Sequence, residues 1–99
     1  MIFEVADLRV KDELTTEFES ALAHLAQRFS SLPAYLAHEL QRSLEGNRYL
    51  LLLALGNERD KPAFLEAFAP VAAVLETFLE APLRLESFKR VLLSGPGNG

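Results

Sequence analysis

The first apolar segment of the chain, residues 2–10, has the composition of a β-strand. It carries β-branched or aromatic side chains at Ile2, Phe3, Val5 and Val10, and three charged residues follow it. Strands favour such side chains, and charged clusters commonly bound them. The sequence therefore predicts a strand that starts at the beginning of the chain and ends at Val10.

The next segment changes to the period of an amphipathic helix. Apolar residues recur at steps of three and four from Leu14 to Phe29, and charged or amide side chains occupy other positions. This spacing places the apolar residues on one face of a helix. Asp12 can cap the helix, and the glutamate after it suits the positive end of the helix dipole. We expect the helix to end near Ser30 and Pro33.

A β-hairpin is predicted in the middle of the chain. Strict alternation along residues 35–43 places Tyr35 on one face of a strand and His38 on the other. The turn sequence Glu-Gly-Asn then leads into residues 48–55, whose leucines do not alternate with polar residues. Burial on both faces explains this lack of alternation. A short helix is the alternative, but the flanking glycines leave only the length of a strand.

A second helix and a last strand complete the chain. Asp60 can cap the helix, and the proline two residues later fits its first turn. Pro70 is expected to break the helix and to open a second helical segment, which ends before Pro82. Residues 83–93 are predicted to form the last strand, and residues 95–99 a flexible C-terminal tail.

The predicted order of elements is β-α-β-β-α-β, with the second helix broken at Pro70. This order is the split βαβ arrangement of ferredoxin-like folds, an α+β class with a four-stranded antiparallel sheet and helices on one face. The length fits one domain, residues 1–94. The leucine-rich strand then needs a cover on the face away from the helices. A second copy of the chain, packed sheet to sheet, is the simplest cover, so we expect a homodimer.

Composition narrows the function classes. The chain has no cysteine, which excludes disulfides and thiolate metal sites, and its net charge of −4 argues against a nucleic-acid partner. The apolar run at residues 49–55 is much shorter than the ~20 residues of a membrane span. The first ten residues include Glu4, Asp7 and Arg9 and do not resemble a signal peptide. We expect a cytoplasmic protein that binds neither nucleic acid nor membrane.

His38 is the strongest candidate for chemistry. A histidine beside a cavity can take up a proton near neutral pH, and Tyr49 on the next strand is a second candidate catalytic residue. The alternative for His38 is a hydrogen-bonded structural role. His24 has no partner at the helical spacing of a metal site, so no metal ligand is expected. The candidate substrate-binding residues, with core packing as the alternative, are Tyr35, Phe64, Phe68 and Phe78.

Two neighbouring segments resemble a known family. Residues 33–43, PAYLAHELQRS, and residues 48–52, RYLLL, are similar to the second and third strands of the antibiotic biosynthesis monooxygenase (ABM) family. The resemblance extends over residues 2–93 and implies a dimeric α+β barrel of two back-to-back sheets. It also implies a monooxygenase that acts without a cofactor on a small aromatic or quinone-type ligand. The alternatives are a non-catalytic dimeric ligand-binding module and a haem-binding relative.

The chain departs from the family pattern at the residues that serve catalysis. Oxidising and haem-degrading members typically carry a tryptophan late in the third strand, near Leu55 here, and this chain has no tryptophan. Haem-degrading relatives also use an asparagine in the first strand, near Asp7 or Val5, and a histidine in the second helix. Residues 62–79 contain no histidine. No catalytic residue is therefore carried over from the family, and His38 is a candidate only because of the chemistry of its side chain.

Overall fold

The computed structural model describes residues 1–96 and contains one antiparallel sheet with two α-helices. The strands are β1 Ile2–Arg9, β2 Tyr35–Arg42, β3 Arg48–Leu55 and β4 Glu86–Phe88, and they lie in the order β2-β3-β1-β4. Short 3₁₀ turns, Asp12–Leu14 and Phe29–Ser31, stand before and after the first helix. The predicted ferredoxin-like α+β fold is confirmed, and residues 97–99 of the predicted tail lie outside the described residues. The helices are α1 Thr15–Ala26 and α2 Lys61–Glu76.

The core lies between the helices and one face of the sheet. Alternate residues of β1 and β3 point to this face, and their register brings Ile2 beside Leu55 and Leu8 beside Tyr49. Each large apolar side chain that is fully buried contributes roughly 1.5–3 kcal/mol. Four phenylalanines from the helices and from the turn after α1 fill the space opposite the sheet, and each is at most 1% exposed: Phe18, Phe29, Phe64 and Phe68.

The second helix does not break at Pro70. α2 continues from Lys61 to Glu76 with the proline inside it. A proline in a helix removes one backbone hydrogen bond and costs about 3 kcal/mol. Pro70 itself is exposed, whereas Phe68 before it and Leu75 after it are buried against the sheet. Burial on both sides of the proline offsets this cost, so the sequence expectation of two segments is corrected to one helix.

The last strand is much shorter than the predicted residues 83–93. β4 comprises three residues, and it pairs Phe88 with Phe3 and Ser87 with Glu4. A strand needs a neighbour that accepts its backbone hydrogen bonds, and β1 provides one for these three residues only. Strand propensity in residues 89–93 is therefore not realised within the described chain.

The sheet face away from the helices carries a patch of apolar side chains beside charged ones, among them Asp7, Glu39 and Arg48. Leu50 and Leu52 of β3 point to it and are partly exposed, as Phe3 and Val5 of β1 are. Neither helix in residues 1–96 combines the length and apolar composition that crossing a membrane requires. We call the five large apolar side chains of this surface the open face: Phe3, Val5, Leu50, Leu52 and Phe88.

Candidate functional site

A bulge in β2 brings two of the candidate residues together. Tyr35 pairs with Leu55 and Ala37 with Ala54, so one extra residue, Leu36, is inserted between them. Such an insertion shifts by one residue the alternation of side chains between the two faces of the sheet. Tyr35 therefore lies on the same helix-side face as His38, contrary to the strict alternation expected from sequence. The Tyr35 hydroxyl oxygen is 2.7 Å from His38 Nδ1.

The environment of His38 suits a group that exchanges protons. The residue is exposed at the edge strand β2, and its ring meets the buried Phe29 ring edge-on with centroids 5.0 Å apart. Either partner of the Tyr35–His38 hydrogen bond can donate, depending on the imidazole tautomer. When Nδ1 carries the proton and donates to Tyr35, Nε2 of the neutral ring has a lone pair that can accept a proton.

Tyr49 belongs to a second polar cluster farther along the same face. Its hydroxyl donates a hydrogen bond of 2.5 Å to Glu19 Oε2 on α1. Arg42 of β2 forms an ion pair with the same oxygen at 3.1 Å, and its guanidinium lies 5.3 Å from the centre of the Tyr49 ring. Burial and the hydrogen bond to Glu19 raise the pKa of Tyr49 to about 12. At neutral pH Tyr49 is therefore a hydrogen-bond donor and not a base.

The two candidate catalytic residues do not meet. His38 pairs across the sheet with Leu53, and Arg42 pairs with Tyr49, four residues farther along β3. At roughly 3.3 Å per residue, His38 and Tyr49 stand about 13 Å apart along the strands. A surface cavity of about 230 Å³ adjoins the Tyr49 cluster. Its lining includes Gln41, Arg42, Ser43 and Tyr49.

The candidate substrate-binding phenylalanines lie in the core. Phe64 and Phe68 of α2 stack with ring centroids 5.5 Å apart, and both are buried. Phe78 is partly buried and meets Phe18 edge-on at 6.1 Å. These positions agree with the packing alternative, and substrate binding by them stays a prediction. Tyr35 differs from them, because its hydroxyl reaches His38.

The remaining histidine stands apart from these clusters. His24 lies on the exposed side of α1. In the part of the chain that the structure describes, no three His, Asp or Glu side chains are close enough to hold a metal ion.

Sequence reasoning missed a buried carboxyl group on β1. Glu4 faces the helices, is 0% exposed, and accepts a hydrogen bond of 2.6 Å at Oε2 from the Ser87 hydroxyl. Ser87 in turn accepts a hydrogen bond from Lys61 Nζ at the start of α2. Oε1 of Glu4 is buried and has no hydrogen-bond partner among the described residues. The sequence does carry a signal for it, because Glu4 lies midway between Ile2 and Ala6 and strand alternation places all three on the same face of β1.

Comparisons with solved structures show the same fold in proteins of low sequence identity. A Bordetella bronchiseptica protein, provisionally described as an antibiotic biosynthesis monooxygenase, is 21% identical with a TM-score of 0.81, over 92% of this chain and 97% of that one. SnoaB from Streptomyces nogalater, described as a cofactor-independent oxygenase, is 22% identical with a TM-score of 0.77, over 93% and 94%. A MhuD variant with two manganese protoporphyrin IX molecules per active site is 21% identical with a TM-score of 0.75, over 97% and 100%.

Sequence comparison identifies the family directly. No curated protein sequence matches the chain. The profile of antibiotic biosynthesis monooxygenases matches residues 1–54, which include β1, α1, β2 and nearly all of β3. This match covers 54 of the 99 residues, so the chain belongs to the antibiotic biosynthesis monooxygenase family.

Proposed function

We propose that the protein is an oxygen-using enzyme that acts without a cofactor on a small aromatic or quinone-type substrate. The observation that carries the proposal is the 2.7 Å contact between Tyr35 and His38 at an exposed edge of the sheet. It provides a histidine whose orientation is fixed by one ring nitrogen while the other remains for the substrate. Membership of the family and the fold shared with SnoaB support the reaction class.

The proposed reaction begins with proton transfer to His38. Nε2 removes a proton from an activated carbon or hydroxyl of the substrate, while the Nδ1 proton remains hydrogen-bonded to Tyr35. The resulting electron-rich substrate reacts with molecular oxygen held beside it. For an anthrone-type methylene group, one oxygen atom becomes the new carbonyl and the other leaves as water. Oxygen is then the only oxidant. Both hydrogens of the methylene group end up in the water, and one of them passes through His38.

Tyr49 is the weaker of the two catalytic candidates. Its hydroxyl is buried and already bonded to Glu19. Its pKa of about 12 keeps it protonated at neutral pH. Tyr49 therefore fits the role of a hydrogen-bond donor that orients Glu19, and His38 carries the proton transfer.

Oxygen consumption tests this proposal. With anthrone as the probe, His38→Ala should lower the rate of oxygen uptake by roughly 100-fold or more, because general-base catalysis contributes about that much. Tyr35→Phe should shift the pH profile of the rate, since the contact at Nδ1 is lost. His24→Ala removes the other histidine and should leave the rate unchanged. Failure to oxidise any quinol or anthrone-type compound, or a rate indifferent to His38→Ala, would end the proposal.

A non-catalytic ligand-binding protein is the second candidate. The packing between the helices and the sheet favours it, because Phe18, Phe29, Phe64 and Phe68 fill that space. Saturable binding of anthrone with no oxygen uptake would support this candidate over the enzyme. A haem titration separates the third possibility. A Soret shift that disappears in His38→Ala would indicate a haem-binding relative, although α2 has no histidine to act as a ligand.

We also propose that the open face joins two copies of the chain. Its five apolar side chains come from three adjacent strands and form a continuous surface. An exposed ion pair between Asp7 and Arg48, at 2.9 Å, lies on the same side of the sheet. Two sheets packed face to face would bury the apolar residues and leave this pair at the rim. The family resemblance implies the same arrangement.

A further inference from the structure

We propose that residues 91–93 of one chain add a strand to the free edge of β2 in a second copy and cover the His38 site of that copy. The inference rests on the proposal that two copies pack through their open faces, and it gives the partner a part in the site. Three observations carry it: the exposure of residues 91–93, the side of the sheet that the chain takes after β4, and the unpaired edge of β2.

Residues 91–93 have no cover within the described chain. The side chains of Val91, Leu92 and Leu93 are 94%, 82% and 67% exposed. Contiguous apolar side chains that are left in water mark an interaction surface. The segment follows β4, which ends at Phe88, so it can continue that strand where a neighbouring strand is present.

The chain after β4 lies on the side of the open face. The guanidinium of Arg90 is 5.3 Å from the centre of the ring of Phe3, which belongs to the open face. Two sheets packed face to face lie about 10 Å apart, and three extended residues also span about 10 Å. The step from Phe88 to Val91 is therefore long enough to reach the sheet of a second copy.

The edge of β2 is the neighbour that a second copy offers. β2 is an outermost strand and pairs only with β3 among the described residues, so the backbone groups on its outer side are available. A two-fold axis between the sheets and parallel to the strands reverses the order β2-β3-β1-β4, which places β4 of one copy opposite β2 of the other. The axis preserves strand direction, so the added strand runs antiparallel to β2.

Strand alternation assigns the faces of the added strand. Phe88 pairs with Phe3 and shares its face, so Arg90 and Leu92 follow on that side. The position of the Arg90 guanidinium over Phe3 agrees with this alternation. The residues on either side of Leu92 then face the helix side, where His38 is exposed at the edge of β2. They would give His38 an apolar wall that its own chain does not provide.

Charges on the open-face side favour the same pairing. Glu39 of β2 is exposed and pairs in register with the open-face residue Leu52. Arg90 lies on the corresponding side of the added strand, so its guanidinium can reach Glu39 of the second copy. Opposite charges on neighbouring strands stabilise a sheet, whereas like charges destabilise it.

Isotope-filtered NMR on a mixed sample tests the contact directly. One copy carries labelled leucine and valine methyl groups, and the other carries labelled histidine. We expect nuclear Overhauser contacts between copies from the methyl groups of Leu93 to the ring of His38. Sedimentation equilibrium of the same sample establishes whether two copies are joined.

Amide exchange along β2 tests the backbone pairing. Successive N–H groups point to opposite sides of a strand, so replacing both Val91 and Leu92 by proline removes the one that faces β2. Exchange of the outer amides of β2 should then become roughly ten-fold faster or more. Ser94→Pro lies beyond the paired segment and should leave these rates unchanged.

A charge at Leu93 tests the contribution to the site. Leu93→Glu places a carboxylate beside His38, which favours the protonated imidazole, so the rising limb of the pH profile of anthrone oxidation should move to higher pH. Leu44→Glu, at a fully exposed turn, should leave the profile unchanged.

The outcomes separate this inference from the proposals on which it rests. Paired chains without contacts between Leu93 and His38, or with β2 exchange indifferent to the two prolines, would overturn it and leave the open-face proposal intact. A single sedimenting chain would overturn both. Absence of anthrone oxidation would count against the oxygenase proposal alone, because the contacts between copies do not depend on turnover.

Discussion

The two faces of β3 have similar leucines and very different surroundings. Leu51, Leu53 and Leu55 point to the helices and are fully buried, whereas Leu50 and Leu52 point to the open face and remain partly exposed. The chain itself therefore covers only one side of a strand whose composition suits burial on both. The strand therefore has two apolar surfaces, one covered within the chain and one that we propose is covered by a second copy.

The polar side chains also differ between the two faces of the sheet. On the helix side they form three groups: His38 with Tyr35 on β2, Tyr49 with Arg42 and Glu19, and Glu4 with Ser87 beside β4. On the open face, the ion pair of Asp7 with Arg48 is exposed to solvent on both partners. The helix side therefore holds the side chains that we propose serve catalysis, and the open face holds the apolar side chains that we propose join two copies.

The largest expected effect comes from truncating a leucine on the helix side. Leu53→Ala should lower the free energy of unfolding by about 2–5 kcal/mol, because it leaves a cavity in the core. Leu52→Ala is the matched substitution on the open face. Its effect should depend on protein concentration, since it weakens association. Urea denaturation at several concentrations measures both, and equal losses at every concentration would abolish the distinction between the faces.

The Tyr49 cluster gives a smaller effect with a definite pH dependence. Tyr49→Phe should cost about 1 kcal/mol, because it removes a hydrogen bond to Glu19. The folded-state pKa of about 12 lies above the ordinary value of 10.0. This contribution to stability is therefore complete below pH 10 and is lost as the pH rises through the folded pKa.

Absorbance titration of the tyrosinate checks this assignment. The chain has two tyrosines, so Tyr35→Phe leaves Tyr49 as the single signal. Its midpoint should lie near pH 12, and Glu19→Gln should lower it, since the negative carboxylate that accepts the hydrogen bond of the Tyr49 hydroxyl is lost. A midpoint near pH 10 in the Tyr35→Phe background would show that Tyr49 is neither buried nor bonded to Glu19.

The ion pair on the open-face side should have the smallest effect. A hydrogen bond from Arg48 lowers the pKa of Asp7 below its ordinary value of 3.8. The stabilisation by the ion pair is present above pH 3.8 and is lost as the pH falls through the lower folded-state pKa of Asp7. NMR titration of Asp7 should show a higher pKa in Arg48→Met than in the control Arg9→Met. Equal Asp7 pKa values in the two variants would contradict the pairing.

Much of the fold could be predicted because it depends on local periodicity. The leucines of β3 and the helical spacing around Phe18 and Leu22 indicate their elements directly, and the element order then selects the fold. The continuity of α2 through Pro70 could not be predicted, because it depends on burial of Phe68 and Leu75 against the sheet.

The candidate site was less accessible from the sequence. His38 and Tyr35 were each identified as candidates, but alternation separated them. Their contact depends on the bulge at Leu36, which is fixed by the register between β2 and β3 and not by either strand alone. Glu4 was missed because its importance rests on complete burial and on the distant Ser87, 83 residues later in the chain.

The central claim, that the open face is covered by a second copy, is tested most directly by sedimentation equilibrium. The natural chain at micromolar concentration should have twice the 11.0 kDa mass of one chain. Leu52→Glu should sediment as one chain with its helical circular dichroism intact, while Leu44→Glu, an equally charged change at a fully exposed turn leucine, should stay paired. A natural chain that sediments at 11.0 kDa throughout this range would contradict the claim.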